Sequence, residues 1–88
     1  MGQKELIELL TKDVGCKFHT CNSSNIVTYG YKESDLSLWV VFKGNKVYQY
    51  KGVTKEQFQD LHQAESKGKW VNINLVKPKV NFQAYELV

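Results

Sequence analysis

Arginine is absent from the 88 residues, and all twelve basic side chains are lysine. That absence excludes the planar, bidentate fork that reads guanine edges and clamps carboxylates, and it leaves phosphate attraction to compact point charges. No apolar run approaches the ~18 residues that cross a bilayer. The opening stretch, "MGQKELIELL", carries acids and no long apolar segment, unlike a signal peptide. It also lacks the Ser or Thr of a myristoylation signal, so a cytoplasmic protein without membrane contact is expected. Catalytic constellations are missing as well. There is no G-x-S-x-G, no H-E-x-x-H and no glycine-rich phosphate loop before a helix. The expectation is a non-enzymatic protein without a cofactor. Cysteine is scarce: Cys16 and Cys21 bracket His19 in "CKFHTC". The spacing matches no standard zinc knuckle and no fourth ligand is evident, so reduced thiols and no metal are expected.

What is present is a charge gradient and a readable pattern of elements. Residues 1–40 hold four lysines against five acids, net −1, whereas residues 41–88 hold eight against four, net +4. "KELIELLTK" places Leu6, Leu9 and Leu10 at helical spacing, predicting an amphipathic helix over 3–12 that Gly15 stops. Alone it would be marginal in water, so it docks on the domain's own core or on a second copy of the chain. "CKFHT" fits a short strand, and "SSNIVTYGY" reads as a strand over 25–31. "LSLWVVFK" alternates Leu36, Leu38, Val40 and Phe42 against Ser37, Trp39, Val41 and Lys43. A "GN" hairpin turn leads to the returning strand "KVYQYK". Thr54 and Gln57 then form a capping box, with Val53 and Phe58 as its hydrophobic staple, and the helix is expected to run to Gly68. "KWVNINLV" alternates Val71, Ile73 and Leu75 against Trp70, Asn72 and Asn74, which reads as a strand or as a loop followed by one. "VNFQAYEL" alternates again, with Val80, Phe82 and Ala84 on one side. The expected fold is α+β: a curved antiparallel β-meander, one capped helix packed on it, and an N-terminal amphipathic helix.

Aromatics beside lysines carry the only binding chemistry. Tyr48 and Tyr50 are two apart on a strand, so their rings share a face. Lys43, Lys46 and Lys51 flank the hairpin, and Lys67, Lys69 and Trp70 lie at the helix exit. Aromatic stacking on bases contributes ~1–3 kcal/mol per base, with lysines meeting phosphate. The expected ligand site is therefore Tyr48, Tyr50 and Trp70 for stacking, Lys43, Lys46, Lys51, Lys67 and Lys69 for phosphate, and Ser66 and Asn72 for hydrogen bonds to base or ribose. The competing assignment places the tyrosines in the core beneath Phe58 and Leu61. His62, beside the helix's apolar stripe, is assigned a structural role.

In order along the chain, "SNIVTYGY", "LSLWVVFKGNKVYQYKGV" and "FQDLHQAESKGKWVN" resemble the KTSC domain family. The matching positions are Ser24, Ile26, Gly30, Tyr31, Tyr48, Tyr50, Gly52, Val53, Phe58, Leu61, Ala64, Ser66, Gly68, Trp70 and Asn72. The resemblance covers about three quarters of the chain, giving an N-terminal helix and connector over 1–22 and a KTSC-like domain over 23–88. It implies a module found alone in short bacterial and phage proteins or appended to some lysyl-tRNA synthetases, with RNA binding as its suggested role. The missing arginines weigh against long RNA. The reading favoured by the residues is a homodimer that binds a cyclic or short oligonucleotide, as a phage anti-defence sponge holding an immune signal would. A single-stranded RNA-binding accessory module and a protein-protein adaptor using Leu6, Leu9 and Leu10 are the alternatives.

Overall fold

Period-two alternation in the central strands organises the molecule. A computed structural model describes residues 3–21, 25–44, 46–78 and 82–85. In chain order they form helix α1 (Gln3–Val14) and strands β1 (Phe18–Thr20), β2 (Ile26–Lys32), β3 (Ser37–Phe42) and β4 (Lys46–Lys51). Helices α2 (Lys55–Gln63) and α3 (Lys67–Val71) follow, then a π-helical turn (Asn72–Val76) that prolongs α3, and strand β5 (Phe82–Tyr85). The strands make an open antiparallel sheet in sequence order, β1-β2-β3-β4-β5. The expected α+β meander is its centre.

Register assigns each side chain to a face. Leu38, Val40 and Phe42 stand opposite Tyr50, Tyr48 and Lys46. Tyr50 and Tyr48 in turn oppose Phe82 and Ala84. On this front face Ile26, Tyr29, Leu38, Val40 and Tyr50 pack with Val53, Leu61, Val71 and Leu75 from the α2–α3 side. On the back face Phe18, Val27, Trp39, Val41 and Val47 pack with Leu6, Leu10 and Val14 of α1. Helices thus cover both faces, which is why β3 is apolar on both.

Local chemistry fixes the connections. Gly44, at φ +89°, supplies the left-handed turn between β3 and β4. The last ladder pair there is Phe42 with Lys46, so the loop spans three residues rather than two, and Asn45 lies outside the described residues. The Thr54 hydroxyl accepts from the Gln57 backbone N–H at 3.2 Å, and the Gln57 side chain accepts from the Thr54 N–H at 2.9 Å. This is the expected capping box. Gly30 sits where a Cβ would lie 3.0 Å from both the Lys17 carbonyl oxygen and the Phe18 ring, so the close β1–β2 approach excludes a side chain.

Two expectations are corrected, and one choice left open is decided. Leu36 is not part of the apolar strand face: it adopts φ +51° after a 3₁₀ turn (Glu33–Asp35) and is exposed, its carbonyl accepting from Val53 N–H at 2.9 Å. The expected strand over 70–75 is helical. Val71 and Leu75 are buried at i, i+4 spacing, whereas Ile73, which alternation would bury with them, is 47% exposed. Accordingly α2 ends at Gln63 with Ala64 extended, Ser66 caps α3, and Gly68 lies inside α3. Lastly, the leucine stripe of α1 is spent on this chain's own sheet. Leu6 and Leu10 are fully buried, and Leu9 is 43% exposed on the helix's outer side. Of the expected C-terminal strand, Phe82–Tyr85 is described, and Val80 lies outside the described residues.

Leu10→Ala is expected to cost about 2–5 kcal/mol in urea denaturation, while Leu9→Ala stays within about 0.5 kcal/mol. Equal effects would mean that α1 is not docked on the back face. Gly30→Ala is expected to cost about 1–3 kcal/mol by overpacking against β1.

Candidate ligand-binding cleft

The alternation of β4 puts Lys46, Tyr48 and Tyr50 on the front face, beside Phe42 of β3 and Phe82 of β5. Covering helices reach only part of this area. The space left at the β3–β4–β5 end is a cavity of about 540 Å³. Its aromatic walls are Phe42, Tyr48, Tyr50 and Phe82, its helical wall is Leu75 and Val76, and Asn25, Lys43 and Lys46 complete the lining. The rings contact one another edge-on or tilted. Phe42 and Phe82 each lie 5.5 Å from Tyr48, and Phe82 lies 5.8 Å from Tyr50. Phe82 is 54% exposed, so one side of its ring is open.

A second chamber of about 380 Å³ shares Asn25, Phe42 and Val76 with the first. Its remaining walls come from the helical segment: Ser66, Gly68, Lys69, Val71 and Asn72. The two chambers adjoin through these shared walls and are described together as a cleft, apolar at the β5 end and polar at the α3 end. Among the described residues Lys43, Lys46 and Lys69 line the cleft, and no Asp, Glu, Cys or His does.

Four tyrosines stand on the front face, and their hydroxyls divide into two pairs. Tyr29 shares a hydrogen bond with His62 Nδ1 at 2.7 Å, and Tyr31 donates to the Val53 carbonyl at 2.7 Å. Among the described residues no hydrogen bond engages the Tyr48 or Tyr50 hydroxyl, and both tyrosines line the cavity. Burial, reinforced by Tyr48, holds the Tyr50 phenol above its ordinary pKa, so it keeps its proton throughout the physiological range.

Seven of the ten expected site residues meet here. Lys43, Lys46, Tyr48 and Tyr50 line the first chamber, and Ser66, Lys69 and Asn72 the second. The Ser66 hydroxyl also accepts from the Lys69 N–H at 3.3 Å. Lys51, Lys67 and Trp70 line neither chamber. Lys51 follows Gln49 onto the back face, opposite Ser37. Lys67 Nζ donates to the Ala64 carbonyl at 3.1 Å, closing the end of α2. Trp70 is half-buried against the front core, and its carbonyl accepts from the Asn74 side chain at 2.9 Å. Phe82, Phe42, Asn25, Leu75 and Val76 were not anticipated as cleft walls. The alternation of "NFQAY" marks Phe82 as facing one side, but only the β4–β5 register brings it to the tyrosines.

A second cluster was also missed. His19 of β1, Tyr29 of β2, and Phe58 and His62 of α2 form an aromatic nest, with the two imidazole centroids 5.0 Å apart. Cys16 packs on the back core and Cys21 on the front core, so the sheet separates the two thiols. Burial raises both thiol pKa values, Lys32 and Lys67 opposing it more weakly.

An open five-stranded meander with a capped helix on one face and a tyrosine pair on its fourth strand defines a class of small α+β domains. The chain belongs to the KTSC domain family, whose profile matches residues 22–77. A protein from Tsukamurella paurometabola is 42% identical over 57 residues, spanning 65% of this chain and 84% of that one. The crystal structure of a KTSC domain protein from Yersinia pestis superposes with a TM-score of 0.72 at 27% identity, covering 80% of this chain and 97% of that one. Helix α1 and strands β1 and β5 lie outside the matched segment, so the Phe82 wall comes from beyond it.

Partial burial, and then the charges of His62 and Lys17, depress the His19 pKa below 6.5. A depressed folded pKa means that the unfolded chain binds the proton more tightly. This contribution to stability is complete above about pH 6.5 and is lost as pH falls from there through the lower folded value. Urea midpoints measured from about pH 7.5 to about pH 5 are expected to decline, and His19→Gln is expected to flatten that decline.

Proposed function

We propose that this chain is a non-enzymatic binding protein for a small phosphate-bearing ligand, a cyclic or short oligonucleotide, which it holds whole. The observation that carries the reading is the tyrosine pair. Among the described residues, two phenol groups without a hydrogen-bond partner line a cavity walled by aromatic rings, and three lysines and no carboxylate line the cleft. Aromatic faces accept bases of any sequence, and lysines supply the phosphate attraction. Lysines attract acidic peptides as well as phosphates, but aromatic walls suit a planar ring better than a carboxylate side chain. Among the described residues the lining holds neither imidazole nor carboxylate, the groups that most often move a proton in phosphodiester cleavage. Binding without turnover amounts to sequestration, the behaviour of a sponge.

The test is incubation with a mixed panel of cyclic and linear oligonucleotides, removal of the unbound fraction, denaturation, and mass spectrometry of what is released. An intact ligand at a fixed ratio to protein supports the proposal. A shortened or opened product overturns the non-enzymatic part, and release of nothing overturns the ligand class. Tyr48→Ala is expected to weaken binding by about 1–3 kcal/mol. Lys69→Ala is expected to weaken it several-fold, and Lys51→Ala, on the back face, to leave it unchanged.

A further inference from the structure

Strand β5 is paired on one side, with β4, and among the described residues no strand lies against its outer edge. Such an edge presents a row of backbone donors and acceptors, which sheets blunt with charge, proline or shortness. The opposite edge, β1, is blunted in this way: it has three residues, and Lys17 stands directly before it. The β5 edge is not. Its sequence is Phe-Gln-Ala-Tyr, without charge or proline, and Phe82, Gln83 and Ala84 are all exposed. The surface beside it is apolar as well. Val76 is 47% and Phe82 54% exposed, and both line the aromatic chamber.

A second copy of the chain fits this edge. A two-fold axis between antiparallel strands sets the strand's centre against its own copy, so a charged residue there would meet its like. The uncharged β5 carries no such penalty. Directly opposed residues of an antiparallel pair share a face, so the axis passes through a residue rather than between two. At Gln83 it overlaps most of the described strand. Phe82 then stands opposite the partner's Ala84 on the front face, a large side chain against a small one. On the back face the two Gln83 amides meet, and each both donates and accepts. Helix α1 offers less. With Leu6 and Leu10 buried on the chain's own sheet, it leaves a second copy only Leu9 among its leucines, beside Glu5 and Glu8.

We propose that two copies pair through the outer edges of β5, antiparallel about a two-fold axis at Gln83, into one continuous sheet. The two clefts then open on the same face. The partner's β5 runs along the open side of each Phe82 ring, so each cleft takes part of its wall from the other chain. The pairing does not require the oligonucleotide reading. Four residues a side make a contact smaller than a standard interface, so the dimer is a reversible one.

Sedimentation velocity of the full chain, from micromolar to near-millimolar concentration, tests it. The weight-average mass is expected to rise from one chain, 10.2 kDa, toward two. Gln83→Lys sets like charges at the axis from an exposed position. It is expected to shift the equilibrium toward monomer, with the urea midpoint unchanged at monomeric concentration. Leu9→Lys, on the outer side of α1, is expected to leave dimerisation as it is. Gln83→Cys is expected to give a covalent dimer on mild oxidation, because counterparts at the axis lie within disulfide reach. The wild-type chain, whose Cys16 and Cys21 are half-buried, is expected to give none. A mass that stays at one chain throughout overturns the proposal, whatever the protein binds. Dimerisation that Leu9→Lys abolishes, or that Gln83→Lys leaves intact, overturns the β5 interface. A dimer that Gln83→Cys fails to cross-link overturns the register.

Discussion

The register of β4 between β3 and β5 is the constraint on which the rest depends. Because side chains alternate across a strand, one alignment puts Tyr48 and Tyr50 beneath the α2–α3 side and Val47 beneath α1. A one-residue slip would exchange them, driving tyrosines into the leucines of α1 and valine into the cleft. The pairing is held from both directions: Val40 and Leu38 on one side, Ala84 and Phe82 on the other. The leucines of α1 and the helical layer penalise the slip from opposite faces, so the same packing that stabilises the sheet also aims the site.

The sheet centre was legible in the sequence because its signals are local. The alternation of "LSLWVVF", the Thr54–Gln57 capping box and the glycine turn each specify geometry within a few residues. The segment 67–76 was not legible. Val71, Ile73 and Leu75 fit period two as well as Val71 and Leu75 fit a helical turn, and the choice belongs to tertiary packing, which buries two of the three. Leu36 misled for a related reason. It continues an apolar alternation, but the reversal after Asp35 and the hydrogen bond to Val53 take it out of the strand.

The site was half legible for the same physical reason. Residues that meet through a hairpin, such as Lys43, Lys46, Tyr48 and Tyr50, are neighbours in sequence as well as in space. Phe82 and Val76 arrive through pairings that no short stretch encodes. The two competing assignments for the tyrosines do not exclude one another. Tyr50 is 4% exposed and belongs to the front core, yet with Tyr48 it lines the cavity. Lys67 and Trp70 show the opposite case, in which residues with suitable chemistry are consumed by the fold, one on the last turn of α2 and the other on the core.

Strand order follows chain order, and this bears on how the domain assembles. The β2–β3 and β3–β4 pairs close short loops and cost little chain entropy, so they belong to the fast, local part of folding. The β4–β5 pair closes across the whole helical segment between them, and β5 is a four-residue edge strand. It is a seam that a local fluctuation can open with the rest of the sheet intact. The Phe82 wall is therefore the hinged side of the cleft. A molecule seated against it would act as a clasp, converting an edge of the sheet into one whose opening requires the guest to leave first.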